Sequence, residues 1–150
     1  MSPSAISIDV ESEAVTRALQ GIREGMESAL SKAVREVVLK GQELVKEKAP
    51  RKGQKPWTTG TLKENIKTRL EPLRGEVYTD LFYAWFVEKS TRPHWIGSPV
   101  LIKGVGWRYI GQHPGTSAQP MFEPTRKELE KLAPDITRTQ ILDLISRYSS

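Results

Sequence analysis

With 150 residues and a hydrophobic fraction of only 37%, the chain is one domain with a modest core and an extended surface, one that neighbouring copies can complete. It has no cysteine, which excludes disulfides and thiolate-held metal; no basic patch leads into an apolar run, and no stretch approaches the roughly 18 apolar residues of a membrane span, so a soluble protein made in the cytoplasm is expected. The net charge of +5 is concentrated, because residues 50–75 hold seven Lys or Arg against two Asp or Glu, a local potential that a polyanion can feel.

In chain order, Ile6-Ser7-Ile8-Asp9-Val10 alternates apolar and polar side chains, as a short half-buried strand does. Val15, Leu19, Ile22, Met26, Leu30, Val34, Val37 and Leu44 then recur mostly at three- and four-residue steps, which predicts one amphipathic helix. Its start is placed near Glu11 or Ser12. Pro50 closes it, since the residue before a proline resists helical geometry. Such a helix runs about 55 Å at about 1.5 Å per residue, more than a domain of this size covers. Part of it is therefore expected to pack on another chain. Gly41 is the weak point, costing about 1 kcal/mol relative to alanine.

Residues 50–58 carry two prolines, a glycine and the cations Arg51, Lys52 and Lys55 without hydrophobic period, which predicts a loop. Thr59 is placed as the N-cap of a second helix, with Leu62, Ile66 and Leu70 on one face. Arg74-Gly75 reads as a turn between strands near Thr68–Glu71 and Glu76–Thr79. Tyr83 to Val87 reads as a short buried aromatic segment, helical or extended, because aromatic density more often marks core than a ligand site. Across residues 91–120, five glycines and four prolines limit structure to short strands. There a hairpin is expected, Val100-Leu101-Ile102 against Trp107 to Ile110. Pro124 is placed as the first residue of the last helix, whose apolar face is Leu129, Leu132, Ile136, Ile141, Leu144, Ile145 and Tyr148. Pro134 should kink or split that helix.

Catalytic patterns are missing from this reading. His94 and His113 sit in Pro- and Gly-rich loops and read as ordinary loop histidines, with no helix carrying two metal-spaced ligands. No serine lies in a nucleophile-elbow sequence, and Gly104-Val105-Gly106 lacks the third glycine and following helix of a dinucleotide fingerprint. No enzyme, cofactor or metal is expected. Arg51, Lys52 and Lys55 beside Trp57 suit phosphate contact with some stacking, and equally suit a solvated loop. No recognition helix or zinc finger accompanies them, so any nucleic-acid contact is expected to be non-specific.

Three segments remain, in fixed order: Thr59-Gly60-Thr61-Leu62-Lys63-Glu64-Asn65-Ile66, then Tyr83-Ala84-Trp85-Phe86-Val87-Glu88, then His113 to Pro124 with Ala118-Gln119-Pro120-Met121-Phe122-Glu123-Pro124 at its end. Between a long N-terminal helix and a C-terminal one, this set resembles the neck and tail-completion proteins of long-tailed bacteriophages, over roughly residues 10 to 150. Asn65 stands where that family usually has serine. Where its motif continues Val-Glu-x-Gly-Thr, this chain reads Val87-Glu88-Lys89-Ser90-Thr91, which sets the local turn apart.

The resemblance implies an α+β single domain, a small antiparallel sheet packed with long N- and C-terminal helices. It implies a homo-oligomeric, hexameric ring in the virion, stacked between head-closure and tail-terminating rings, with double-stranded DNA passing by non-specific contact. Gly60, Leu62, Ile66, Tyr83, Glu88, Pro120, Phe122 and Pro124 then anchor the fold or its interfaces, Glu88 being expected against a basic neighbour. Phe122 is expected to seat the last junction in the core, with Met121 mattering less because a thioether packs less specifically. The alternative reading is a small basic nucleic-acid-binding protein working through residues 50–75.

Overall fold

One helix, α1 (Ser12–Lys48), is the spine on which the first hairpin and the last helix are laid. The computed structural model describes residues 12–54, 59–109 and 111–149. The strand expected at Ile6–Val10, and Lys55, Trp57 and Ile110, lie outside them. After α1 come α2 (Thr61–Glu64), β1 (Lys67–Glu71), β2 (Arg74–Tyr78) and α3 (Ala84–Lys89). The arm follows, with β3 (His94–Ile96), β4 (Val100–Ile102), β5 (Gly106–Arg108) and β6 (Gly111–His113), and α4 (Phe122–Ser146) closes the chain. The fold is α+β, its strands arranged as three two-stranded antiparallel sheets, β1–β2, β3–β6 and β4–β5.

The helix α1 has the expected end, with the Ala49 N–H bonded to the Val45 carbonyl at 2.9 Å just before Pro50. Its buried stripe differs from the expected one. Ala29, Ala33, Val38, Leu44 and Val45 are buried, while Val15 and Leu19 are exposed. The reason is close helix packing. A methyl placed on Gly21, Gly25 or Gly41 would come within 2.4, 2.4 and 2.8 Å of Tyr148, Leu144 and Leu129 respectively. Helix α4 thus lies antiparallel on a face of glycine and alanine. Gly41, expected as a weak point, is where α4 comes close enough to hold α1.

The helix α4 is continuous through Pro134, so the expected split does not occur. Contacts with α1 lie on both sides of the proline, Leu129 on Gly41 before it and Leu144 on Gly25 after it. Gln140 also donates to Glu36 at 3.0 Å. Packing of this kind compensates for the hydrogen bond that a mid-helix proline removes.

The β1–β2 hairpin rests on the C-terminal half of α1. Its turn is Pro72-Leu73, because Glu71 pairs with Arg74, and the turn expected at Arg74-Gly75 is corrected by two residues. Proline pre-sets the φ angle for a turn, whereas Gly75 is needed inside β2 for a different reason. A methyl there would lie 2.2 Å from Val38 Cγ2 and 3.4 Å from Val34 Cγ1.

The second helix is shorter than expected. It ends at Glu64, so Ile66 follows it and Leu70, exposed, belongs to β1. Its N-cap is Gly60 in the left-handed region (φ 86°), not Thr59. The Thr59 hydroxyl instead meets the Thr61 hydroxyl at 2.7 Å and accepts from the Thr61 N–H at 3.4 Å. Gln42 of α1 donates to the Ile66 carbonyl at 2.8 Å and ties this segment to the spine.

Gly75→Ala is expected to destabilise the protein by about 1–3 kcal/mol, the usual result of forcing a methyl into filled space. Strand propensity favours alanine by up to about 1 kcal/mol, but Val38 is stiff at χ1 and cannot swing away. Urea unfolding of the two proteins checks the sign: a more stable alanine variant would mean that α1 and β2 are not in this contact.

Candidate functional site

The three motifs meet at one junction, and Glu88 is its centre. At the end of α3 its carboxylate faces the start of α4. Oε2 accepts from the Met121 and Phe122 N–H groups at 2.8 and 3.0 Å, and Oε1 from Glu123 at 2.9 Å. The first amides of a helix have no partner within it, and Pro124 has no N–H to satisfy. One side chain therefore completes the N-terminus of α4 and places negative charge at the positive end of its dipole. The basic neighbour expected for Glu88 is in fact this row of backbone amides. Burial alone would push the carboxyl up. The amides of Met121, Glu123 and Phe122, with the Lys89 ammonium nearby, outweigh it and hold the group below the usual carboxylate range.

Beneath this cap lies the core, where Val45 and Ala49 of the spine meet Leu62 and Ile66 of the first motif, Ala84 of the second and Met121 of the third. Tyr83 and Phe122 pack around it, partly buried. The expected roles of Met121 and Phe122 are thus reversed: Met121 is fully buried at 0% exposure and Phe122 sits at the edge. The N-cap position fixes this, because Met121 precedes the first helical turn and points under it. Thr125, also buried, donates its hydroxyl to the Met121 carbonyl at 2.7 Å. A threonine four residues beyond the motif's methionine was the readable signal for that bond. Pro124 is the third residue of α4, not its first, and Pro120 is exposed just outside it.

The arm leaves from this junction through a tightly bonded base. Thr91 and Thr116 exchange backbone hydrogen bonds at 3.1 and 3.2 Å and their hydroxyls meet at 3.0 Å, while the Gln119 N–H reaches the Val87 carbonyl at 2.8 Å. Ser90 begins the arm with φ 75° and ψ 169°, a region that essentially only glycine enters freely. It stands where the resembled motif carries glycine, so serine holds the glycine conformation at a cost. Gly115 is needed for a second reason: a methyl there would come within 2.2 Å of the Thr91 carbonyl oxygen.

A cleft of about 980 Å³ opens between this base and the first motif. Thr59, Gly60 and Leu62 form one wall, Tyr83, Trp85 and Phe86 another, and His94, His113 and Thr116 a third. The aromatic segment expected to be buried is largely open here, Trp85 being 64% and Phe86 46% exposed; only Ala84 of α3 points fully inward. Helical geometry sends these neighbours to different faces, which the sequence density of aromatics does not show. His94 and His113, opposite each other across β3 and β6, have ring centroids 5.1 Å apart. The Gly115 N–H donates to His113 Nδ1 at 3.0 Å, and His94 Nδ1 lies 2.9 Å from the Arg92 carbonyl. Two imidazoles fall short of a tetrahedral metal site, and no group of three possible ligands occurs among the described residues.

The basic stretch divides in two. Lys67 pairs with Asp80, and Arg69 and Arg74 pair with Glu76, so the hairpin's cations are neutralised by acids just beyond residue 75. Arg51 and Lys52 remain exposed and without an ion pair among the described residues, on a turn closed by the Gln54 N–H to the Arg51 carbonyl at 3.1 Å. Lys52 lies beside Gly60 of the first motif, where a methyl on the glycine would meet its Cβ at 3.4 Å. The arm is a second open surface. Trp95, Leu101, Trp107 and Tyr109 are each 64–70% exposed, and no Asp or Glu lies between Glu88 and Glu123.

No protein-family model, characterised protein or solved structure matches the chain. No helix among the described residues is long and apolar enough to cross a membrane.

A folded-state pKa below the unfolded one means stability that is present above the ordinary value of 4.5 and lost as the pH falls through the folded value. Glu88→Gln should therefore lower stability near neutral pH by about 2 kcal/mol, as hydrogen bonds to a charged acceptor are lost, and flatten stability against pH below about 4.5. Chemical unfolding at pH 3 to 7 tests this, and an acid limb of unchanged size in the variant would remove Glu88 from the role. Conversely, Ser90→Gly should stabilise by about 1 kcal/mol, raising the melting temperature by about 2–4 °C. A lower melting temperature would show that Ser90 is not in the glycine region.

Proposed function

We propose that the chain is a structural subunit of the head–tail junction of a long-tailed bacteriophage, a neck or tail-completion protein. In this reading it forms a ring, a hexamer by the resemblance, around the DNA channel and joins tail to head. The observation that carries the proposal is the Glu88 junction. The three ordered segments that bear the resemblance are joined in one interlocked unit, each supplying a part the others need. From that unit projects an arm whose large apolar side chains are exposed, as suits a subunit that neighbours complete. No catalytic role is proposed, since the side chains at the junction serve packing and capping.

The second reading, a basic nucleic-acid-binding protein, is favoured by Arg51 and Lys52, which have no ion pair among the described residues while the hairpin's cations do. Within the ring reading, the same loop meets passing DNA or an acidic neighbouring ring.

Light scattering of the purified protein, alone and with candidate head and tail proteins, together with electron microscopy, should show closed rings. A strict monomer under all conditions that is also absent from purified particles would sink the ring. Changing Arg51, Lys52 and Lys55 together to Gln should leave folding intact and shallow the salt dependence of DNA association by up to about three phosphate contacts. An unchanged salt slope would leave the loop only a role in solubility.

A further inference from the structure

We propose that the arm of one subunit docks on the free N-terminal stretch of α1 in the next copy, so that each chain both makes and receives the same contact. The inference rests on the ring reading for closure of the assembly, while the contact itself follows from two surfaces that the fold leaves bare. The first is on the spine. Tyr148, just beyond α4, lies against Gly21, so among the described residues no helix lies beside the turns of α1 before it. On those turns Val15 is 52% and Leu19 61% exposed. Four residues apart, they share one helix face. The second surface is the hairpin of the arm. Leu101 and Trp107 sit opposite each other across β4 and β5 and share a face of the ladder. They are 64% and 66% exposed.

These two surfaces belong to opposite ends of the molecule. The arm springs from the junction packed on Val45 and Ala49, about 40 Å along the helix from Leu19 at about 1.5 Å per residue. The main partners of α1 are α4, the β1–β2 hairpin and α2, not the arm. Contact between unlike patches of identical chains is head-to-tail, the type that closes into rings when the rotation allows.

Charge selects the same pairing. Residues 12–28 hold three Glu against two Arg, whereas residues 89–122 hold four Lys or Arg and no acid. Arm against helix start is attractive, while arm against arm is repulsive, so the electrostatics disfavour symmetric dimers through the arm. A nucleic acid would answer the arm's cations but would leave Val15 and Leu19 uncovered. A second copy answers both surfaces at once.

The absence of cysteine makes the test clean. Leu19→Cys protein mixed with Leu101→Cys protein under mild oxidation should give disulfide-linked dimers containing one of each, and either protein alone should give few. The doubly substituted chain should give a ladder ending at the closed ring. Both positions are exposed, so folding is not at stake. Separately, Trp107→Ala should weaken self-association about thirtyfold, the loss of one aromatic anchor. Assemblies of normal mass without a 19–101 disulfide would overturn this contact and leave the ring standing. A chain that stays monomeric would overturn both. Trp107→Ala that abolishes binding to a single-stranded or duplex oligonucleotide, yet leaves self-association unchanged, would assign the arm to nucleic acid and overturn the proposal.

Discussion

A carboxylate that accepts three amides from a helix terminus does more than hold two elements together. Glu88 lies at the end of α3, and its partners Met121, Phe122 and Glu123 begin α4, more than thirty residues later. Everything between them is the arm. Closing that loop at Glu88, and again at Thr91 with Thr116 and at Gln119 with Val87, forces the arm to leave and return at one place. It also sets where α4 starts, and so which of its side chains fall on Gly41, Gly25 and Gly21 of the spine. The seating of Met121 in the core, the path of the arm and the register of the helix pair all depend on this one ionised group. The geometry suits a carboxylate in particular, since two oxygens without hydrogens can receive three donors that a helix start cannot satisfy itself.

The second constraint is the small-residue face of α1. Glycine inside a helix costs about 1 kcal/mol each in intrinsic propensity, and α1 has three. They let α4 lie close, with Leu129, Leu144 and Tyr148 filling the space that side chains would have taken. The helix pair closes over glycine and alanine. Larger apolar residues lie outside, on the first turns of α1 and along the arm. An interior of this kind holds the chain's own elements together while leaving its most adhesive side chains to the surface.

Electrostatics then sort the surface. The β1–β2 hairpin neutralises its cations locally with Asp80 and Glu76, and the helix pair is linked by Lys48 with Glu128 at 2.9 Å. Exposed pairs of this sort contribute little stability, roughly 0–1 kcal/mol each. Their consequence lies in what remains. Arg51 and Lys52 on the loop, and Arg92, Lys103 and Arg108 on an arm that carries no acid, have no ion pair among the described residues.

Several features were legible in the sequence alone because each depends on local spacing or on one residue's covalent geometry. The reach of α1 as far as Pro50, the existence of the hairpin around Lys103 to Gly106 and a C-terminal helix starting near Pro124 are of this kind. The α+β class and the prominence of Glu88 came with the resemblance, and for Glu88 a basic neighbour was expected in place of the amides it meets. Tertiary structure decided the rest. Whether Gly41 weakens or secures the spine depends on Leu129, a residue 88 positions away. The exposure of Trp85 and Phe86, the burial of Met121 in place of Phe122 and the pairing of Lys67, Arg69 and Arg74 likewise depend on elements brought together from far along the chain. A pattern of residue types records which faces are apolar, but not which neighbour arrives to cover them; that is settled only when the Glu88 junction closes and the spine, hairpin and α4 take their places around it.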